Sequence, residues 1–83
     1  MDFISLGLNP KNMEEKWEIV KRIRNKLLLN VGWVTTSNTL TELEREAGLN
    51  YIQELKDIPQ NFNSPDDVVF PTPPEFLEEW VNL

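Results

Sequence analysis

Tyr51-Ile52-Gln53-Glu54-Leu55-Lys56-Asp57-Ile58-Pro59 reads as the closing turns of a helix, and Pro65-Asp66-Asp67-Val68-Val69-Phe70-Pro71-Thr72-Pro73-Pro74 reads as an extended apolar strip. Tyr51, Leu55 and Ile58 recur at helical spacing. Pro59 ends the run, because the residue before a proline is pushed out of the helical region. Val68, Val69 and Phe70 are β-prone, but the flanking prolines cannot donate to a ladder, so extended chain is expected rather than a central strand.

Working back from Tyr51, Leu40, Leu43 and Ala47 continue the helical spacing, and Thr39 with Glu42 makes a capping box. A second helix is therefore expected over residues 39–58. Gly48 interrupts it at a cost of about 1 kcal/mol relative to Ala, which leaves open one helix with a weak point or two pieces meeting there. Further back, Met13, Trp17, Val20, Ile23 and Leu27 make one apolar face, predicting a first helix over residues 12–30. It starts either at Asn9 with Pro10 or at Asn12 with Glu15, and fades where Asn30 and Gly32 supply stop signals. Residues 1–9 read as an extended or poorly ordered lead-in.

Forward of Pro59, residues 60–64 are a polar loop punctuated by Phe62. The proline strip occupies 65–74, where Thr72, Pro73, Pro74 and Glu75 resemble a cap with early-helix prolines. A short last helix over 74–82 would carry Phe76, Leu77, Trp80 and Val81. The expected fold is a single domain over 1–83, mainly α. It is a small helical hairpin with an extended proline-containing segment and a short C-terminal helix. The strip either folds across the hairpin or is held out for a partner.

With 83 residues the chain makes one domain with a thin core, since such a domain buries only about 60% of its unfolded surface. It has no Cys and no His, so stability is expected from Leu, Ile, Val and three tryptophans, or from a partner that buries what the monomer leaves exposed. The net charge of −6 is unevenly spread. Six of the eight basic residues (Lys11, Lys16, Lys21, Arg22, Arg24 and Lys26) lie around the first helix, interleaved with Glu14, Glu15 and Glu18 at spacings that allow pairing. Beyond Leu27, ten acidic residues face only Arg45 and Lys56, a net of −8. No uncompensated basic surface marks a nucleic-acid partner, and the basic face is expected to pair with the acidic half. No apolar run long enough for a membrane span or a signal peptide is seen, so a cytosolic protein is expected.

Catalysis is not expected. Without His or Cys the usual nucleophile and base pairs are missing, and Ser5, Ser37 and Ser64 have no activating partner. Gly7, Gly32 and Gly48 are too scattered for a phosphate loop, and the carboxylates show no calcium-loop spacing. No catalytic residue, metal site or cofactor is therefore assigned. Binding remains, with each tryptophan serving either as core or as a partner anchor.

Arg24-x-x-Leu27-Leu28 followed by Trp33, then 51–59, then 65–74, resembles the tail assembly chaperone family of tailed bacteriophages, related to the tail fibre assembly proteins. That family's pattern runs from an Arg and a Leu-Leu pair to Asp-Trp, then Tyr-Arg-x-x-Leu-Arg-Asp-Ile, then Pro-x-x-Val-x-Trp-Pro. Tyr51, Leu55, Asp57, Ile58, Pro59, Pro65, Val68, Pro71 and Pro74 match, and the resemblance covers residues 24–74. Gly32 stands where the family usually has Asp, Ile52 and Lys56 where it has Arg, and Phe70 where it has Trp.

The resemblance implies a non-enzymatic chaperone in the host bacterial cytoplasm that binds and shields a tail or tail-fibre polypeptide, needing no cofactor, nucleic acid or membrane. Its expected contact residues are Trp33, Tyr51, Val68, Phe70 and Pro71. Two other readings stay open. One is a small structural component retained in the tail, baseplate or fibre. The other is a host-directed regulatory binder. Homo-oligomerisation is also left open.

Overall fold

The computed structural model describes residues 1–81. The chain is mainly α, with no strand among the described residues. Helix α1 spans Met13–Val31, α2 Glu42–Lys56, α3 Ile58–Asn61 and α4 Glu78–Val81. Short 3-10 turns lie at Gly32–Thr35, Pro65–Asp67 and Glu75–Leu77. The body measures 44 × 23 × 17 Å.

Of the two starts open to α1, the chain uses Asn12. Its side chain accepts the Glu15 N–H at 2.9 Å, and the Glu15 carboxylate takes the Lys11 N–H. One of the orphan donors of the first turn is thereby satisfied, and the residue before the cap is tied to the helix. At the far end Gly32 keeps helical angles (φ −59°, ψ −25°), so it does not act as a left-handed stop. The helix instead tightens into the 3-10 turn, and the Thr36 and Ser37 N–H groups close on the Trp33 carbonyl.

Helix α2 begins later than the Thr39–Glu42 pair suggests. The capping box is Thr41 with Glu44, whose reciprocal bonds measure 3.1 and 3.0 Å. The helix then runs unbroken through Gly48 to Lys56. Gly48 is buried where the helix approaches its neighbours: a Cβ there would lie 2.8 Å from Val34 Cγ1 and 3.2 Å from Phe76 Cζ.

The inward face of α2 is Gly48, Tyr51, Ile52 and Leu55, while Leu43 is 80% exposed. The sequence spacing places Leu43 on the apolar stripe because steps of four residues look helical. Each such step overshoots a full turn, so the three from Leu55 back to Leu43 accumulate about 120° of rotation. At Ile52, where the family usually carries Arg, the chain places an apolar side chain only 6% exposed.

The core joins Phe3, Val20, Leu27, Val31, Val34, Tyr51, Ile52, Leu55, Ile58, Val68 and Leu77 in one cluster. Phe3 corrects the reading of residues 1–9 as an extended lead-in. The segment turns back at Gly7 (φ 76°), where the Leu8 N–H reaches the Phe3 carbonyl at 3.0 Å, and Phe3 is only 4% exposed. Glycine tolerates that left-handed angle without a Cβ clash. Lys16 lies above, its Nζ 5.8 Å from the Phe3 ring centroid and 2.9 Å from Asp66 Oδ1. Of the pairings the charge pattern allows, this one ion pair forms among the described residues. Both side chains are partly exposed, which limits its worth to about 1 kcal/mol or less.

The C-terminal reading also needs correction. Thr72 does not cap a helix: the chain stays extended through Pro74 (ψ 152°) and only then enters the 3-10 turn and α4. Thr72 and Pro73 each precede a proline, which disfavours helical geometry at both. Position 82 of the expected helix lies outside the described residues.

Tyr51 gives a direct test of this packing. Burial pushes its phenol above the ordinary value of 10.0. The neutral phenol is favoured in the fold, so its contribution to stability is complete below pH 10.0 and is lost as pH rises through the folded value. Because the chain has one tyrosine, its phenolate absorbance should titrate with a midpoint above pH 10.0 in the native protein, and that midpoint should fall back when urea unfolds it. Equal midpoints in the two states would mean that Tyr51 is not in the core.

Candidate partner-binding surface

Val34 fixes the position of this surface. It is fully buried beneath Gly48 in the 3-10 turn, and its neighbour Trp33 is partly buried at the α1–α2 junction. On the C-terminal segment Leu77 is fully buried, which anchors the turn and leaves Phe76 partly exposed beside it. Trp80 follows Phe76 by four residues and shares its face. Three rings meet there. Trp33 and Phe76 stand edge to face at 6.4 Å and 82°, and Trp33 and Trp80 are tilted at 5.2 Å and 50°. Trp80 remains 49% exposed, and the buried Trp33 Nε1 has no hydrogen-bond partner.

Phe76 also floors a shallow open groove of about 520 Å³, completed by Leu43, Glu44 and Ala47 of α2 and by Glu75. Leu43 is its ridge, because a second depression along α2 lies on its other side with Glu46 and Leu49. Arg45, the basic residue of this region, turns away to donate to the Ser37 carbonyl. Among the described residues no three acidic side chains converge as metal ligands would.

The five expected contact residues divide by depth. Tyr51 and Val68 are only 4% and 3% exposed, so in this fold they belong to the core and present almost no surface. Trp33, Phe70 and Pro71 are half-buried. The strip alternates as extended chain does, with Val68 inward, Val69 72% exposed and Phe70 packed partly on the core. The strip is therefore folded onto the body, not held out from it. Leu43, Ala47 and Phe76 were not among the expected contacts. The spacing of Phe76 and Trp80 was legible, but the groove depends on the outward rotation of Leu43.

With this geometry in place, comparison with known families is decisive. The sequence model of the phage tail assembly chaperone protein family matches residues 17–75. The chain belongs to that family. Membership gives it a role in phage tail assembly. The matched segment starts at Trp17, earlier than the motifs beginning at Arg24 suggested, and so takes in most of α1. It ends at Glu75, which leaves Phe76 and Trp80 of the family member's aromatic cluster beyond it. Neither curated proteins nor solved structures yield a significant match.

Proposed function

We propose that this chain is a non-enzymatic chaperone that binds a tail or tail-fibre polypeptide in the host cytoplasm and shields it until it assembles. The family match over residues 17–75 carries this reading. The surface supports it, because a small domain with a net charge of −6 leaves Leu43, Val69 and Trp80 substantially exposed. Shielding by burial of apolar area needs neither cofactor nor bond chemistry. No helix of the described residues is long and apolar enough to cross a membrane.

Trp33, Phe70 and Pro71 are the proposed contacts from the matched segment, with Tyr51 and Val68 holding them in place. The test is co-expression with the tail and tail-fibre polypeptides of the same phage, followed by size-exclusion chromatography. One of them should co-elute with the wild type. Replacing Phe70 and Pro71 together by Ala should reduce that capture about tenfold or more while leaving helical circular dichroism intact. Co-elution with none of these polypeptides would overturn the reading, and unfolding by the double substitution would make the strip core instead of contact.

A further inference from the structure

We propose that the groove between α2 and the C-terminal turn docks a basic amphipathic helix of the tail polypeptide. Apolar side chains of that helix would lie over Leu43, Ala47 and Phe76, with its Lys or Arg residues toward Glu44 and Glu75. This rests on the tail-binding reading and specifies the chemistry of the bound segment.

Three observations select this occupant. First, the groove is open, apolar on its floor and carboxylate-bearing on both walls. Second, those carboxylates have no cationic partner. The one ion pair among the described residues is Lys16–Asp66, outside this groove, and Arg45 is committed to the Ser37 carbonyl. Glu78 and Glu79 of α4, close to Glu75 in the chain, are further exposed carboxylates. A second copy of this chain is a poor occupant, since a two-fold pairing across the groove would set Glu44 and Glu75 against their own kind. Third, no strand is present among the described residues, so an extended peptide finds no sheet edge to extend. A helix needs none, because its backbone bonds are internal and its apolar face supplies the contact. The α2 wall of the groove from Leu43 to Ala47 is about 6 Å long, which little more than one helical turn covers.

The probe is a synthetic peptide of about 14 residues, or four turns, with Leu on one helical face and Lys on the other. A scrambled peptide of the same composition and a version with Glu for Lys serve as controls. Tryptophan emission reports binding, because Trp33 adjoins Phe76 and Trp80 adjoins Trp33. The Leu/Lys peptide should bind saturably and about tenfold more tightly than either control. Leu43→Lys should weaken it about tenfold or more. Glu44→Gln with Glu75→Gln should weaken it about threefold to tenfold, since Gln preserves the capping box while removing the charge. Leu43 and Glu75 are exposed, so helical circular dichroism should hold in both variants.

Equal binding of the scrambled peptide reduces the effect to general charge attraction and overturns the proposal. Unchanged affinity in the variants overturns it too. A concentration-dependent dimer abolished by Leu43→Lys would assign the groove to a second copy. The same variant separates the two levels of the reading. If a tail polypeptide co-elutes equally with wild type and Leu43→Lys, tail binding stands and the groove does not. If none co-elutes with wild type, tail binding fails and the peptide titration decides the groove.

Discussion

Leu77→Ala is expected to destabilise the protein by about 2–5 kcal/mol and to release the C-terminal turn from the body. Leu77 is fully buried in a 3-10 turn of three residues, too short to hold itself in place by its own hydrogen bonds. Truncation removes the apolar transfer energy and leaves a cavity that the prolines before it hinder from collapsing. A domain of this size has a total stability on the order of 4–12 kcal/mol, so the loss is a large fraction of it. Urea unfolding followed by circular dichroism should show it as a lower midpoint. Tryptophan emission should shift as Phe76 and Trp80 leave Trp33. Leu43→Ala is the control, because an 80% exposed side chain should change stability by about 0.5 kcal/mol or less. If the two substitutions behaved alike, the C-terminal segment would not be docked as described.

Gly48 gives the second large effect, and its sign is the informative part. Helix propensity alone predicts that Gly48→Ala stabilises α2 by about 1 kcal/mol. The packing predicts the reverse. The new Cβ would sit 2.8 Å from Cγ1 of a fully buried Val34, which cannot swing away, and 3.2 Å from Phe76 Cζ. Overpacking of this kind costs about 1–3 kcal/mol, so the net change should be destabilising. Gly48→Val should reach about 3 kcal/mol or more, because it adds two further carbons to the same contact. Thermal or urea denaturation measures both. A gain in stability from Gly48→Ala would mean that α2 does not approach Val34 and Phe76 so closely. Because Phe76 floors the groove, both substitutions should also disturb the proposed docking surface.

These two residues also show what the sequence disclosed. The apolar face of α1 was legible because Val20 and Leu27 repeat at helical spacing without interruption. Helix α2 was legible as a helix but not in its rotation. Two overlapping Thr-x-x-Glu pairs offered rival starts, and Gly48 read as a flaw when it is a packing position. The spacing alone places Leu43 on the apolar stripe, whereas in the fold it is exposed and lines the groove. Phe3 was missed because a lone aromatic in a short lead-in has no periodicity to reveal it. The contact residues divided for a related reason. Tyr51 and Val68 belong to motifs shared with the family, but a motif residue can hold the fold as readily as touch a partner, and burial separates the two.

In the proposed role the chain acts on a tail polypeptide during assembly and then leaves it. Mass spectrometry of extensively washed virions, run beside the infected-cell lysate, tests this most directly. The account predicts abundance in the lysate and absence from the particle. Stoichiometric recovery from washed virions would contradict it and make the chain a permanent component of the tail, baseplate or fibre.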